Sequence, residues 1–305
     1  MGSFVQRLIR FDIELKDGTY TDQGKNNVVT IQNVRANVVI DFPGGATVNN
    51  AQAMIWGLDK KLMDKLTVYP PIANSLSGNK ITISVGDIST RNQNVTAKTG
   101  IVYSGDIFRA YADYSNAPDV PFVIETTVNM AGAINPAKPI SKDGSIDVVA
   151  IVTDVADYLS AFVEDHGVGE KGVRLYNPYY SGTPMQMLQK IQQDANVDIY
   201  YRPPTIHLCL KGQPITTAAP FLITANTGLI GYPAVDINGM VLINVLYNPS
   251  LFHGARVDLQ TNYPNCNGTF YIVSMSVVLE SQTPNGQWTA SLILANYALM
   301  SPQAV

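Results

Sequence analysis

Few residues in this 305-residue chain could do chemistry: it holds three histidines and two cysteines. His207 and Cys209 stand two apart in a segment, Thr205 to Lys211, that reads as a strand, so both side chains point to one face. With His253 and Cys266 they would complete four ligands of the kind zinc accepts. Their intervals match no usual zinc pairing, and a buried cysteine is commonly a small apolar residue, so no metal is expected. His166 lies in Glu164-Asp165-His166-Gly167, directly after a helical pattern. It could serve as an acid-base group beside a carboxylate, but the simpler expectation is a solvated helix end where the imidazole meets terminal carbonyls. Glycoside cleavage needs two carboxylates about 5–9 Å apart in a sugar-sized cleft. Glu125, Asp147, Asp165 and Glu280 are scattered over ordinary strand and helix positions, which neither supports nor excludes such a pair. Dinucleotide, phosphate-loop, nucleophile-elbow and zincin motifs are all absent. Neither a catalytic residue nor a cofactor is therefore expected. Trp56 and Trp288 read as core rather than as ligand platforms. Tyr176, Tyr179 and Tyr180 around Pro178 suit a binding loop, a subunit contact or a turn packed on its own domain.

The composition bounds what these residues can belong to. Apolar residues make up 46%, which argues against disorder, and the length suits two or three compact domains. Charged residues are only 14%, well under the usual quarter, and 16 Tyr stand against 9 Phe. Neutral polar surface is cheaper to desolvate than charged surface, so broad subunit contact is favoured. With a net charge of -4 and no basic stripe, nothing supplies the phosphate neutralisation that drives nucleic-acid binding. Two cysteines do not make a disulfide scaffold. The start, Met1 to Arg7, lacks a secretion signal, Gln6 stands where myristoylation needs Ser or Thr, and no run is long enough for a membrane anchor. Folding in a cytoplasm is expected, and Asn94-Val95-Thr96 and Asn267-Gly268-Thr269 then read as turns rather than glycosylation sites.

Along the chain, Phe11 to Glu14, a turn at Asp17-Gly18 and Thr19 to Thr21 form a first strand pair, followed by strands at Val28 to Ile31 and Asn37 to Phe42. Ala51, Met54, Ile55, Leu58, Leu62 and Leu66 have helical spacing, with Asn49 and Asn50 as caps, Gly57 placed for close packing and Pro70-Pro71 as the stop. Strands resume at Lys80 to Val85, Gly100 to Arg109 and Phe122 to Val128, and Met130 to Lys142 reads as a loop or a domain joint. A second helix is expected from Ser145 to Val163, with Asp147 in its first turn, and a third from Thr183 with Pro184 at its first position. Beyond Asp198 the pattern is almost wholly β. Ile199 to Arg202 and Thr205 to Lys211 form a hairpin, and Asn238-Gly239 reads as a tight type I′ turn between Ala234 to Ile237 and Met240 to Leu246. Asn267-Gly268 and Asn285-Gly286 mark further turns. The fold class is α+β, predominantly antiparallel β.

The series Thr227-Gly228-Leu229-Ile230-Gly231-Tyr232-Pro233, the hairpin at Asn238 and Gly239, Leu246-Tyr247-Asn248-Pro249, Gly254, and the strand opened by Asn267-Gly268 resembles the C-terminal region of phage baseplate hub proteins of the late-control-D-like family. Ile55-Trp56-Gly57-Leu58, Ile81 to Asp87 and Ile101 to Ile107 resemble the N-terminal domain of the same family. The resemblance covers nearly the whole chain. It implies two β-barrel domains, at 1–110 and 216–305, with a smaller helix-containing domain at 111–215 between them. It further implies a homotrimer whose pseudo-sixfold ring adapts a hexameric tail tube, or its initiator, to a trimeric spike. DNA would cross the lumen without specific binding, and the ring would meet other baseplate proteins. The virion tail baseplate, assembled in the host bacterial cytoplasm, is the implied location. With the last barrel strand so near Val305, the spike is expected to be a separate protein. The alternatives are a tail-tip peptidoglycan hydrolase and a peripheral receptor-binding β-protein.

Overall fold

The computed structural model describes residues 6–16, 26–68, 78–91, 94–215 and 219–296. The expected turn at Asp17-Gly18 with Thr19 to Thr21, and the Pro70-Pro71 stop, lie outside these residues. The chain forms two units, one of Met1–Asp41, Asn49–Val128 and Val277–Trp288, the other of Phe42–Val48, Asn129–Ser276 and Thr289–Val305.

The first unit holds β1 (Gln6–Glu14), β2 (Val28–Gln32), β3 (Ala36–Phe42), β4 (Asn50–Trp56), α1 (Lys60–Leu66), β5 (Lys80–Arg91), β6 (Asn94–Ala112) and β7 (Pro121–Thr127). The strands lie in the order β3-β4-β7-β6-β5-β1-β2, each neighbour antiparallel. One face buries Phe11, Ile13, Ile40, Ile55, Ile81, Ile83, Phe122 and Ile124, the alternate residues of their strands. Register shifts at Ile83/Ser84 and at Ile107/Arg109 bend this sheet.

The helix expected over Ala51 to Leu66 is in fact a strand and a short helix. Ala51 and Ile55 satisfy a helical spacing, but Ala51, Ala53 and Ile55 equally satisfy a period of two, and these three are buried in β4. Pairing with β3 on one side and β7 on the other decides between the two readings. Asn49 is not a helix cap; its carbonyl receives the Val128 N–H. Asp59 is the cap, accepting from Lys61 N at 2.7 Å. Gly57 has φ +80° and open space where a Cβ would stand, so its backbone angle rather than close packing accounts for it.

The second unit contains α2 (Met130–Ile134), β8 (Ala137–Ser141), β9 (Ser145–Asp147), α3 (Val148–Leu159), β10 (Phe162–His166), β11 (Arg174–Tyr176), β12 (Tyr179–Gly182), α4 (Pro184–Asp194), β13 (Val197–Arg202) and β14 (Thr205–Leu210). These are followed by β15 (Phe221–Ile223), β16 (Leu229–Val235), β17 (Val241–Leu246), β18 (Arg256–Leu259), β19 (Gly268–Ser281) and β20 (Trp288–Asn296), the last two shared with the first unit. Helices α3 and α4 pack together, burying Ile151, Val152, Val155, Leu188 and Ile191. Pro184 opens α4 as the sequence pattern predicts, and Thr183 and Gln186 close its start with a reciprocal capping box.

Three further expectations change here. Met130 to Lys142 is not a loop: it holds α2 and β8. The helix expected from Ser145 starts at Val148, with Asp147 as its cap rather than inside its first turn. It ends at Leu159, because Ser160 adopts φ +50° and turns the chain into β10; Val163 is a strand residue. The Asn238-Gly239 turn is not type I′, since only Gly239 has positive φ. Gly239 N–H bonds to Asp236 carbonyl at 3.1 Å and the Asp236 carboxylate takes the N–H groups of Asn238 and Met240, each at 2.8 Å. This is a three-residue loop, a type I turn closed by a left-handed glycine.

Antiparallel pairing dominates a mixed α+β fold, in agreement with the class expected from sequence.

Candidate functional site

The hairpin β16–β17 presents apolar residues to solvent. In β17, Val241, Ile243 and Val245 are buried and Leu242, Asn244 and Leu246 point outward. Register places Ile230 and Ala234 of β16 opposite Asn244 and Leu242, and Ile293, Ser291 and Thr289 of β20 opposite Leu242, Asn244 and Leu246. This outward set contains no charged residue. At the hairpin tip Ile237 is fully exposed. Among the described residues, β16 pairs with β17 alone and is a sheet edge. The register slips between Ile230 and Ala234, so that Gly231, Tyr232 and Pro233 leave the ladder. Gly231 takes φ +70°, and Tyr232, 77% exposed, meets Tyr263 edge-on at 5.4 Å. A bulge with proline blunts an edge against further strand pairing, so this surface offers side chains rather than backbone.

A polar cluster occupies the same unit. Strand β10 pairs with β14 in parallel, bringing Glu164 opposite His207 and His166 opposite Cys209. His166 is thus a strand residue, not a helix end. Glu164 Oε2 lies 2.9 Å from His207 Nδ1, and His166 Nε2 lies 3.2 Å from that same nitrogen. Burial and the charge of Arg202 push the His207 pKa down to about 4. Arg202 itself is lowered by burial and lies over Phe252, 4.2 Å from its ring centroid. His253, 2% exposed between the rings of Phe42 and Tyr200, falls to about 3 through burial and then the charges of Arg202 and His207. Cys209 packs with Tyr200 and Ile215, and burial raises its thiol to about 12. Cys266, also buried, closes a short 3-10 turn. The set His207, Cys209, His253 and Cys266 is not the one the fold gathers; among the described residues the metal-compatible group is Glu164, His166 and His207. Their spacing in sequence gave no sign of this, because a parallel pairing across α4 and β13 creates it.

No protein-family model and no curated protein sequence matches the chain. Solved structures do. A tail protein from Neisseria meningitidis MC58 superposes with TM-score 0.57 at 12% identity, over 97% of this chain and 99% of that one. The 43 kDa tail protein of prophage MuSo2 from Shewanella oneidensis gives 0.56 at 10%, over 97% and 99%. An E. coli type VI secretion component, described as similar to the T4 tail proteins gp27 and gp5, gives 0.52 at 10%, over 97% and 75%. The chain shares the fold of these proteins over 97% of its length.

Within this fold the remaining candidates have local jobs. Glu125 pairs with Arg109 at 3.5 Å, Asp147 caps α3, and Asp165 accepts from Val168 N and Gly169 N. Glu280 accepts from Asn37 Nδ2 and Gln287 N. Trp288 is buried with Arg7 5.2 Å from its ring, whereas Trp56 is half-buried under Arg35 at 4.3 Å. The tyrosine group divides: Tyr180 is core and donates to Asp194, while Tyr176 and Tyr179 are exposed. The motif residues sit at turns, at element ends and, for Gly231 and Pro233, in the bulge of β16. Gly228 carbonyl accepts from Leu246 N, Asn248 Oδ1 from Ser250 N beside Pro249, and Gly254 N donates to Ile272 carbonyl. Asn267 ties Thr261 by side chain to backbone in both directions, and Gly268 opens β19.

Proposed function

We propose that the chain is a structural baseplate hub subunit of a phage tail, a homotrimer in a pseudo-sixfold ring between the hexameric tail tube and a trimeric spike. The observation that carries this reading is the tail-protein fold spanning 97% of this chain and 99% of the Neisseria protein. The uncharged outward face of β16, β17 and β20 supports it, since such a face costs little to desolvate against a neighbour. In this reading the strand-rich segments 1–110 and 216–305 close into barrels within the ring, 111–215 supplies the helices, and the bulges of the antiparallel sheets provide the curvature. The motif residues Gly228 to Pro233 and Asn238-Gly239 shape the subunit contact. The ring forms in the host cytoplasm, binds the tube or its initiator, the spike and other baseplate proteins, and passes DNA without gripping it. It works without a catalytic residue. The test is to mix purified protein with its own tail-tube protein and image the product. Hollow rings of about three chain masses that cap tube ends are expected; a monomer that leaves tube ends bare overturns the reading.

A further inference from the structure

We propose that Glu164, His166 and His207 form a binding site for a single divalent transition-metal ion of the zinc class, bridging β10 to β14. Glu164 and His166 are two apart on one strand and share a face, and the parallel register sets His207 beside them on the next strand. The three ligand atoms lie within 4.8 Å of one another. A tetrahedral ion with bonds of about 2.0–2.1 Å places its ligand atoms roughly 3.4 Å apart. The His166 Nε2–His207 Nδ1 separation of 3.2 Å is close to that edge, and the Glu164 Oε2–His207 Nδ1 separation of 2.9 Å needs to open only slightly.

Proton accounting points the same way. His207 Nδ1 faces both a carboxylate oxygen and an imidazole nitrogen. If it carries a proton, one N–H is divided between two acceptors; if it does not, its lone pair faces the carboxylate. One cation at the common point satisfies all three atoms. Glu164 is exposed, giving an ion access from solvent, and three protein ligands leave a position for water. Arg202, which lies over the Phe252 ring, is the charge that opposes a cation here, and the Glu164 carboxylate faces it as well as His207. The residues belong to types that select zinc-like ions over magnesium or calcium, which favour all-oxygen shells.

The test uses untagged, full-length protein stripped with chelator and titrated with Co2+ and then Zn2+. One equivalent of Co2+ per chain should bind with the intense visible absorption of a tetrahedral site, and Zn2+ should displace it. Glu164→Gln and His166→Gln, at exposed and half-buried positions, should each weaken binding by more than about 100-fold, beyond the 10–100-fold cost of losing a mere outer-shell group. Glu170→Gln, an exposed acid in the turn that follows β10, should bind like the parent. Circular dichroism confirms that each variant is folded. No saturable uptake by the parent protein, octahedral-type weak absorption, or equal uptake by the Glu164 and His166 variants would overturn the site.

Discussion

Lowering pH should destabilise the protein through His253. This imidazole is 2% exposed, faces the rings of Phe42 and Tyr200, and feels the positive charges of Arg202 and, once protonated, His207. Its folded pKa is about 3 against 6.5 in the unfolded chain. A folded pKa depressed in this way means that the unfolded state binds the proton first. Stability is therefore full above about pH 6.5 and is lost as pH falls from there toward 3. At pH 5 the unfolded histidine is protonated and the folded one is not, a gap of 1.5 pH units below 6.5 that corresponds to about 2 kcal/mol. His207, with a folded value of about 4, adds a loss of similar size over the upper part of the same window. The variant His253→Leu removes one titration while keeping an apolar side chain between the rings. Urea midpoints measured from pH 8 to pH 4.5 should show the parent losing about 2 kcal/mol more than the variant by pH 5, whatever constant offset the substitution introduces. Parallel curves for the two proteins would refute the assignment of a buried neutral imidazole at this position.

Three other outcomes follow from particular contacts. Thr183→Ala removes the cap oxygen that receives Gln186 N at 3.3 Å and should cost about 1 kcal/mol in thermal unfolding of α4, most of it recovered by Thr183→Ser. Gly231→Val and Gly239→Val meet no neighbouring atom but force φ +70° and +77° on a β-branched residue; each should cost at least roughly 1–2 kcal/mol and lower the yield of assembled protein by light scattering. Leu242→Asp with Ile237→Asp places charge on the uncharged hairpin face and should leave the monomer's melting temperature within a few degrees while reducing association by at least tenfold in sedimentation; unchanged association would remove this face from the interface.

Much of the architecture was legible because its signals are local. Thr183-Pro184 marks a helix start that no tertiary contact overrules, and the run Met240 to Leu246 after the Asn238-Gly239 pair is a strand as expected. The errors arose where one pattern satisfies two periods. Ala51 and Ile55 fit a helix or a strand, and the strands on either side of them decide it. The Asn238-Gly239 pair signals a turn, yet the Asp236 carboxylate sets which one by taking two backbone N–H groups. The polar cluster was illegible for a stronger reason. Glu164 and His207 are far apart in sequence, and parallel strands need a long crossover that leaves no periodic trace of its register.

The low charge of the chain acquires a location in the fold. Eight outward residues across three adjacent strands, Ile230, Ala234, Leu242, Asn244, Leu246, Thr289, Ser291 and Ile293, carry no charge. The neighbouring edge is meanwhile closed to backbone pairing by the Gly231-Tyr232-Pro233 bulge. Open-ended strand addition gives fibres, whereas contact through side chains of fixed shape can close at a defined number of copies. An uncharged face beside a blunted edge would suit the closed ring proposed above, and restoring the edge tests this directly. Deleting two residues of the bulge while replacing Pro233 with Thr should convert discrete assemblies into polydisperse ones in sedimentation; a variant that still assembles to a single size would show that the bulge plays no part in closure.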